Sequence, residues 1–225
     1  MRMLEPETSR EMPWANGRGK TIEIATDSSQ LGDAWTWRLS IADLPQRAEF
    51  SRFPAIDRHI ACLDGEGMRL QRTGRWIDVP TMGDAISFTG EESITGEPIG
   101  LGVRDVNWFL RRDRWTGGMR VTGMTSMTGM TGMTGMTGMT SKHGATIHAA
   151  LVVIHAVGHA KPLRVASDQQ TLMLHAGCTI VASGSVTIEP HDQHDAHDAH
   201  DHTKLIIAWA NPTSIPSPAT SQSAE

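Results

Sequence analysis

The chain has 225 residues, a formal net charge of −5 and a hydrophobic fraction of 39%. A mildly acidic chain presents no overall basic face for nucleic acid, and no apolar run approaches the roughly 18 residues that a membrane span needs. Cys62 and Cys178 lack CxxC spacing, so they read as buried reduced thiols rather than as zinc ligands.

Residues 1–16 carry Glu5, Glu7 and Glu11 and no apolar stretch of the kind that a secretory signal contains, so a cytoplasmic location is expected. Pro13-Trp14-Ala15-Asn16-Gly17-Arg18-Gly19 follows as a glycine-rich loop. Its small residues let backbone N–H groups approach an anion, although the spacing is not that of a phosphate-binding loop. From there the pattern is period two, the signature of half-buried strands. Residues 20–25 place Ile22 and Ile24 on one face, and 35–42 set Trp35, Trp37, Leu39 and Ile41 against Thr36, Arg38 and Ser40. Further strands are predicted over 59–63, 68–71, 76–79, 85–88 and 99–107. After residue 142 they are predicted over 148–157, 163–165, 171–175, 178–181, 186–189 and 205–209. Asp64-Gly65-Glu66-Gly67 marks a hairpin turn between two of them. No long 3.6-residue period occurs, so the class is all-β, a sandwich or barrel of short strands.

Two triplet repeats interrupt this pattern. Met-Thr-Gly recurs over 124–141, and glycine at every third position disfavours both helix and strand, so the segment reads as a flexible insertion. His-Asp triplets run from His191 to His202. Their imidazoles (His191, His194, His197, His200 and His202) are weak candidates for a divalent metal, set against the plainer reading of a solvated loop carrying a repeat expansion. The tail from 212 to 225 has a disordered composition. The organisation expected is therefore a first half over 1–118, an insertion over 119–142, a second half over 143–211 with the histidine loop at 191–202, and the tail.

Three polar clusters draw attention. Asp57-Arg58-His59 puts a carboxylate, a guanidinium and an imidazole side by side at a strand entry, where Arg58 is suited to a ligand carboxylate and Asp57 to orienting it. A structural ion pair is the plainer alternative. Val103-Arg104-Asp105-Val106-Asn107 alternates so that Asp105 and Asn107 share a face, which is costly indoors unless they are hydrogen-bonded or line a site. Arg104, Arg111, Arg112 and Arg114 form a local basic cluster. No GxSxG or HExxH signature occurs, and His59 is the only histidine before His143, so Asp57 and His59 are the only general acid/base pair on offer in the first half.

Taken together, these segments resemble the HutD/Ves family. The residues that carry the resemblance are Pro13-Trp14 with Asn16-Gly17 and Gly19, Thr21 and Glu23-Ile24, then Trp37-Arg38-Leu39-Ser40-Ile41-Ala42. Phe50-Ser51-Arg52-Phe53-Pro54, Asp57-Arg58, Leu63-Asp64-Gly65-Glu66-Gly67-Met68, Asp105-Val106-Asn107 and Arg111-Arg112 complete the set. They occur in order over about residues 12 to 115. Ala15, Arg18 and Ala55 depart from the family's Lys, Gly and Gly, and the Met-Thr-Gly insertion is foreign to it.

The resemblance implies a double cupin, two jelly-roll-like β-barrel halves in one chain. It also implies a bacterial, cytoplasmic ligand-binding protein that modulates histidine utilization and takes an anionic intermediate of the urocanate or formyl-glutamate type. The ligand-binding residues expected are Arg58 first, then Asp57, Asn16, Arg38, Asn107 and His59. No catalytic residue, cofactor or metal is expected. The partner expected is a small anionic metabolite, not nucleic acid or a membrane, and a homodimer stays open. The alternatives are a cupin-type enzyme built on His59 and Asp57, and divalent-metal binding through the 191–202 repeat.

Overall fold

The structure, a computed structural model, describes residues 1–14, 19–28, 34–123, 145–158, 162–190 and 204–214. Among them regular structure is almost entirely strand, with one 3-10 turn at Pro6–Thr8. In chain order the strands begin with β1 (Arg2–Leu4), β2 (Arg10–Pro13), β3 (Lys20–Thr26), β4 (Trp37–Leu44), β5 (Ala48–Glu49) and β6 (Ile56–Cys62). They continue with β7 (Met68–Arg72), β8 (Arg75–Val79), β9 (Gly83–Asp84), β10 (Ile86–Thr89), β11 (Ile94–Pro98) and β12 (Val103–Arg111). The last are β13 (Trp115–Gly123), β14 (Ala145–Val157), β15 (Leu163–Ser167), β16 (Thr171–Leu174), β17 (Thr179–Pro190) and β18 (Lys204–Pro212).

The strands form three sheets. A six-stranded sheet runs β10-β6-β12-β4-β3-β2, and a four-stranded sheet runs β5-β11-β7-β8. An eight-stranded sheet runs β16-β15-β17-β14-β18-β13-β9, with β1 added against β17. Alternation then determines where the core lies. Trp37, Leu39, Ile41, Ala61, Val106, Trp108 and Leu110 leave one face of the six-stranded sheet to meet Val121, Val153, Ile206 and Ala208 of the large sheet. Leu44, Ile60, Cys62 and Val103 leave the opposite face and pack with Met68, Leu70, Val79 and Ile94. The other face of the large sheet curls around its own core of Ile147, Val152, Ile154, Ile180, Ile188, Leu205, Ile207 and Trp209. A β-bulge between Ala149 and Val152 switches β14 from odd to even positions inward, and Asn211 Oδ1 accepts the Ala150 N–H there at 2.9 Å.

Three sequence expectations change. Residues 99–107 are not one strand. Gly100 (φ 82°) and Gly102 (φ 116°) adopt backbone that only glycine takes without strain, so the chain turns at an exposed Leu101 between β11 and β12. The strands expected at 178–181 and 186–189 are one, β17, which passes through Gly184. The boundary expected at residue 118 falls inside β13, which pairs along its length with β18. Met119 and Val121 are buried core, so 119–123 belong to the large sheet and not to a flexible insertion. The repeats at 124–141 and 191–202 and most of the tail lie outside the described residues.

Candidate ligand-binding site

The face of the six-stranded sheet opposite the shared layer grades from apolar to charged along its strands. Strand β4 presents Leu44, Ala42, Ser40 and Arg38 in turn, β12 presents Val103, Asp105, Asn107 and Phe109, and β6 presents Cys62, Ile60 and Arg58. Register aligns these into rows. Arg38, Phe109 and Arg58 sit side by side across β4, β12 and β6, and behind them lie Ser40, Asn107 and Ile60. The apolar end fills with side chains, whereas the charged end opens into a cleft of about 410 Å³. That size lies within the range typical of small-ligand pockets. Trp14, Thr21, Glu49, Phe50, Ser51 and Phe53 complete its walls.

Arg58 is 6% exposed, and its Nε and Nη2 both donate to Asn107 Oδ1, at 2.8 and 2.6 Å. Asn107 Nδ2 donates in turn to Asp105 Oδ1, which fixes the amide so that its oxygen faces the guanidinium. The buried Asp105–Asn107 pair is therefore hydrogen-bonded, which offsets its desolvation cost. Burial pushes the Asp105 carboxyl up to about 6, with the nearby Arg58 charge opposing the rise. Burial also draws the Arg58 guanidinium down to about 10, with Asp105 raising it and Arg38 lowering it further, so it stays cationic at neutral pH. Among the described residues Arg58 has no carboxylate in ion-pair contact. Its guanidinium carbon instead lies 4.5 Å from the Phe50 ring centre, 5.2 Å from that of Phe109 and 5.5 Å from that of Phe88. Phe50 reaches this position because residue 96 is glycine, since a Cβ there would come within 2.4 Å of the ring.

Arg38 is the second cation of the cleft. It rests against Phe109 at 4.5 Å, Trp35 at 4.9 Å and Phe53 at 5.6 Å. Its buried Nε has no hydrogen-bond partner among the described residues. Burial lowers its pKa, and Glu23 opposes that shift. Glu23 itself is buried and lies 3.7 Å from Arg10.

The structure thus brings Arg58, Arg38 and Asn107 together and separates Asp57 and His59 from them. Period-two alternation turns both away from Arg58, onto the face of Ala61 and Trp108. Asp57 accepts from Arg112 Nε at 2.7 Å, and Arg112 also donates to Glu91 at 2.9 Å, which is the structural ion-pair reading of that carboxylate. His59 Nδ1 sits 2.7 Å from Ser87 Oγ, its Nε2 is buried without a partner among the described residues, and burial lowers its pKa to about 4. Neither residue lines the cleft, which removes the geometric basis for both as ligand contacts and for an acid/base pair acting there. Asn16 lies outside the described residues, as do the histidines of the 191–202 repeat. Among the described residues no group of three or more His, Cys, Asp or Glu is placed to hold a metal.

Residue type alone does not single out the aromatic walls. Phe50 and Phe53 stand in a segment that carries the resemblance, and Phe109 is the inward neighbour of Asn107 by alternation. Trp14 fits the same pattern: its Nε1 donates to Thr21 Oγ1 at 3.0 Å, its ring covers Gly19, and Trp14 and Thr21 both line the cleft.

The model of the HutD family matches residues 6–213. The chain belongs to the HutD family. Over 115 residues, 51% of this chain, it is 36% identical to an uncharacterized 21.2 kDa protein in the hutC 3' region of Pseudomonas putida. It is 32% identical over 116 residues to protein Ves of Citrobacter koseri. Each match spans 60% of the relative's length. The structure of HutD from Pseudomonas fluorescens SBW25 in a formate condition superposes with a TM-score of 0.64 at 19% identity, covering 94% of this chain and 98% of that one. The fold of this HutD-family chain is accordingly the expected all-β, cupin-like one. Among its described residues no helix is long and apolar enough to cross a membrane.

Proposed function

We propose that this HutD-family protein binds a small carboxylate in the first-half cleft and acts through that binding as a modulator of histidine utilization rather than as a catalyst. The observation that carries the reading is Arg58: a buried guanidinium with no contacting carboxylate among the described residues, held by Asn107 and roofed by aromatic rings. Burying a cation is expensive unless a counter-charge arrives, and a carboxylate can meet a guanidinium through paired hydrogen bonds. Ligands of the urocanate or formyl-glutamate type both carry a carboxylate and are small enough for a cleft of about 410 Å³. The family name, and a relative described by its place beside hutC, supply the link to histidine utilization. The same reading makes the protein cytoplasmic, with a small anionic metabolite as its partner and neither nucleic acid nor membrane.

Thermal unfolding with urocanate, formyl-glutamate and formate tests this. At a ligand concentration one hundred times Kd, stabilisation of about 2.7 kcal/mol is expected. Arg58→Ala removes a charge-assisted contact worth about 1.5–3 kcal/mol, so most of that shift should vanish. A wild-type protein that shifts with none of the three anions, or a variant that shifts as much as wild type, contradicts the reading.

A further inference from the structure

We infer that the cleft is built for a dianion, with Arg38 as a second anchor that selects short dicarboxylates over monocarboxylates. This rests on the reading of the cleft as an anion site.

The argument begins with the row Arg38–Phe109–Arg58. These three residues occupy neighbouring strands in direct register, so the two arginine backbones stand about 10 Å apart, two strand spacings, with one ring between them. Both guanidinium carbons approach that ring, at 4.5 and 5.2 Å from its centre, so both charges lean toward the middle of the cleft. The two cations interact, since Arg38 is one of the groups that make the Arg58 charge harder to keep. Two like charges held beside one ring are mutually repulsive, and a single carboxylate can engage only one of them fully.

The acidic groups nearby are already engaged. Asp105 accepts from Asn107 and makes no ion-pair contact with either arginine. Glu23 lies against Arg10. Glu49, on the rim, accepts from Ser93 Oγ at 3.0 Å and lies 3.6 Å from Arg52. Arg58 spends Nε and Nη2 on Asn107, and the buried Arg38 Nε has no hydrogen-bond partner among the described residues. Donors therefore remain on both cations, and a molecule with a carboxylate at each end of a short aliphatic chain satisfies both. Between them its methylene groups would lie on Phe109, a contact that a polar linker would not favour.

Calorimetric titration of the full chain at about pH 7.5 with succinate and glutarate, against propionate and butyrate, decides the matter. Wild type is expected to bind one of the dicarboxylates about ten- to a hundredfold more tightly than the monocarboxylates, the worth of one additional charge-assisted contact. Arg38→Gln should weaken the dicarboxylate at least tenfold more than the monocarboxylate, and Arg38→Lys should restore part of the preference. If wild type binds mono- and dicarboxylates equally, the dianion inference falls while the anion site stands. If Arg38→Gln weakens both classes by the same factor, Arg38 is not the selecting anchor and the inference falls as well. If wild type binds neither class, the anion site falls with it.

Discussion

The eight-stranded sheet and the six-stranded sheet solve the same packing problem in opposite ways. In the large sheet the inward positions are aliphatic or aromatic: Ile147, Val152, Ile154, Ile180, Ile188, Ile207 and Trp209 fill the space. In the first half the inward positions begin the same way, with Leu44, Ile60 and Val103, and then switch to Ser40, Asn107, Arg58 and Arg38. Both interiors rest on period-two strands, so strand geometry does not decide which half holds a cleft. The decision lies in a few inward residues that are too polar or too small to close the space. The large sheet thereby encloses a stabilising core, and the six-stranded sheet gives up packing on one face for a charged cleft.

The largest effects should come from the filled half. Ile154→Ala removes a fully buried side chain from the second core and should cost about 2–5 kcal/mol in chemical denaturation, with carboxylate affinity unchanged in the protein that remains folded. Ser40→Leu makes the opposite change by filling the cleft. It should abolish binding at a smaller stability cost, about 1–3 kcal/mol. If the two variants exchange these signatures, the division of labour between the halves is wrong.

Acid should act on both halves at once. His59 in the first half and His155 in the second are buried, and burial lowers each to about 4 from an ordinary 6.5. The unfolded chain therefore binds more protons than the folded one between those values, and stability present above about pH 6.5 is lost as the pH falls toward about 4. Asp105 works in the other direction. Its carboxyl is raised to about 6 from 3.8, so the folded state takes up its proton first and gains relative stability between those two values as the pH falls. Two imidazoles outweigh one carboxyl, so the unfolding free energy should fall by a few kcal/mol from about pH 7 to about pH 4. His155→Gln should flatten that slope. A stability that rises on acidification would contradict these assignments.

The smallest effect concerns Ala55, which has φ 63° on an exposed turn where the resemblance implies glycine. A Cβ in left-handed backbone costs about 1–2 kcal/mol, while glycine loses about 0.4–1 kcal/mol through the entropy of the unfolded chain. Ala55→Gly should therefore stabilise by about 0.5–1 kcal/mol in urea titration. A destabilised variant would mean that the turn owes more to its contacts, Ala55 N–H to Glu91 at 2.7 Å and Arg112 N–H to the Ala55 carbonyl at 3.0 Å, than to backbone preference.

Much of this contrast is legible in the amino-acid sequence. Alternation alone puts Asp105 with Asn107, and it sets Arg38 and Ser40 on the face opposite Trp37 and Leu39. The same rule applied to Asp57-Arg58-His59 splits them, since an inward Arg58 requires outward neighbours. The density of polar groups there suggests one site where the backbone makes two surfaces. Strands rich in glycine are harder to see. β13 contains Gly117 and Gly118 and runs directly into the repeat, and β11 contains Gly96 and ends at Pro98, so neither shows the β-branched pattern of a strand. Their strand character comes from pairing with β18 and with β7, which is tertiary information. The aromatic roof is also tertiary, because Phe50 and Phe109 are far apart in sequence and meet only across Arg58.

The central claim, that the first-half cleft is an anion site centred on Arg58, is tested most directly by a crystal structure of the protein grown with millimolar glutarate. The account predicts density for the ligand inside the cleft, one carboxylate on the Arg58 guanidinium and the other directed to Arg38 across Phe109. A cleft holding only water while glutarate binds elsewhere, or an Arg58 side chain already neutralised by a protein carboxylate, would contradict it.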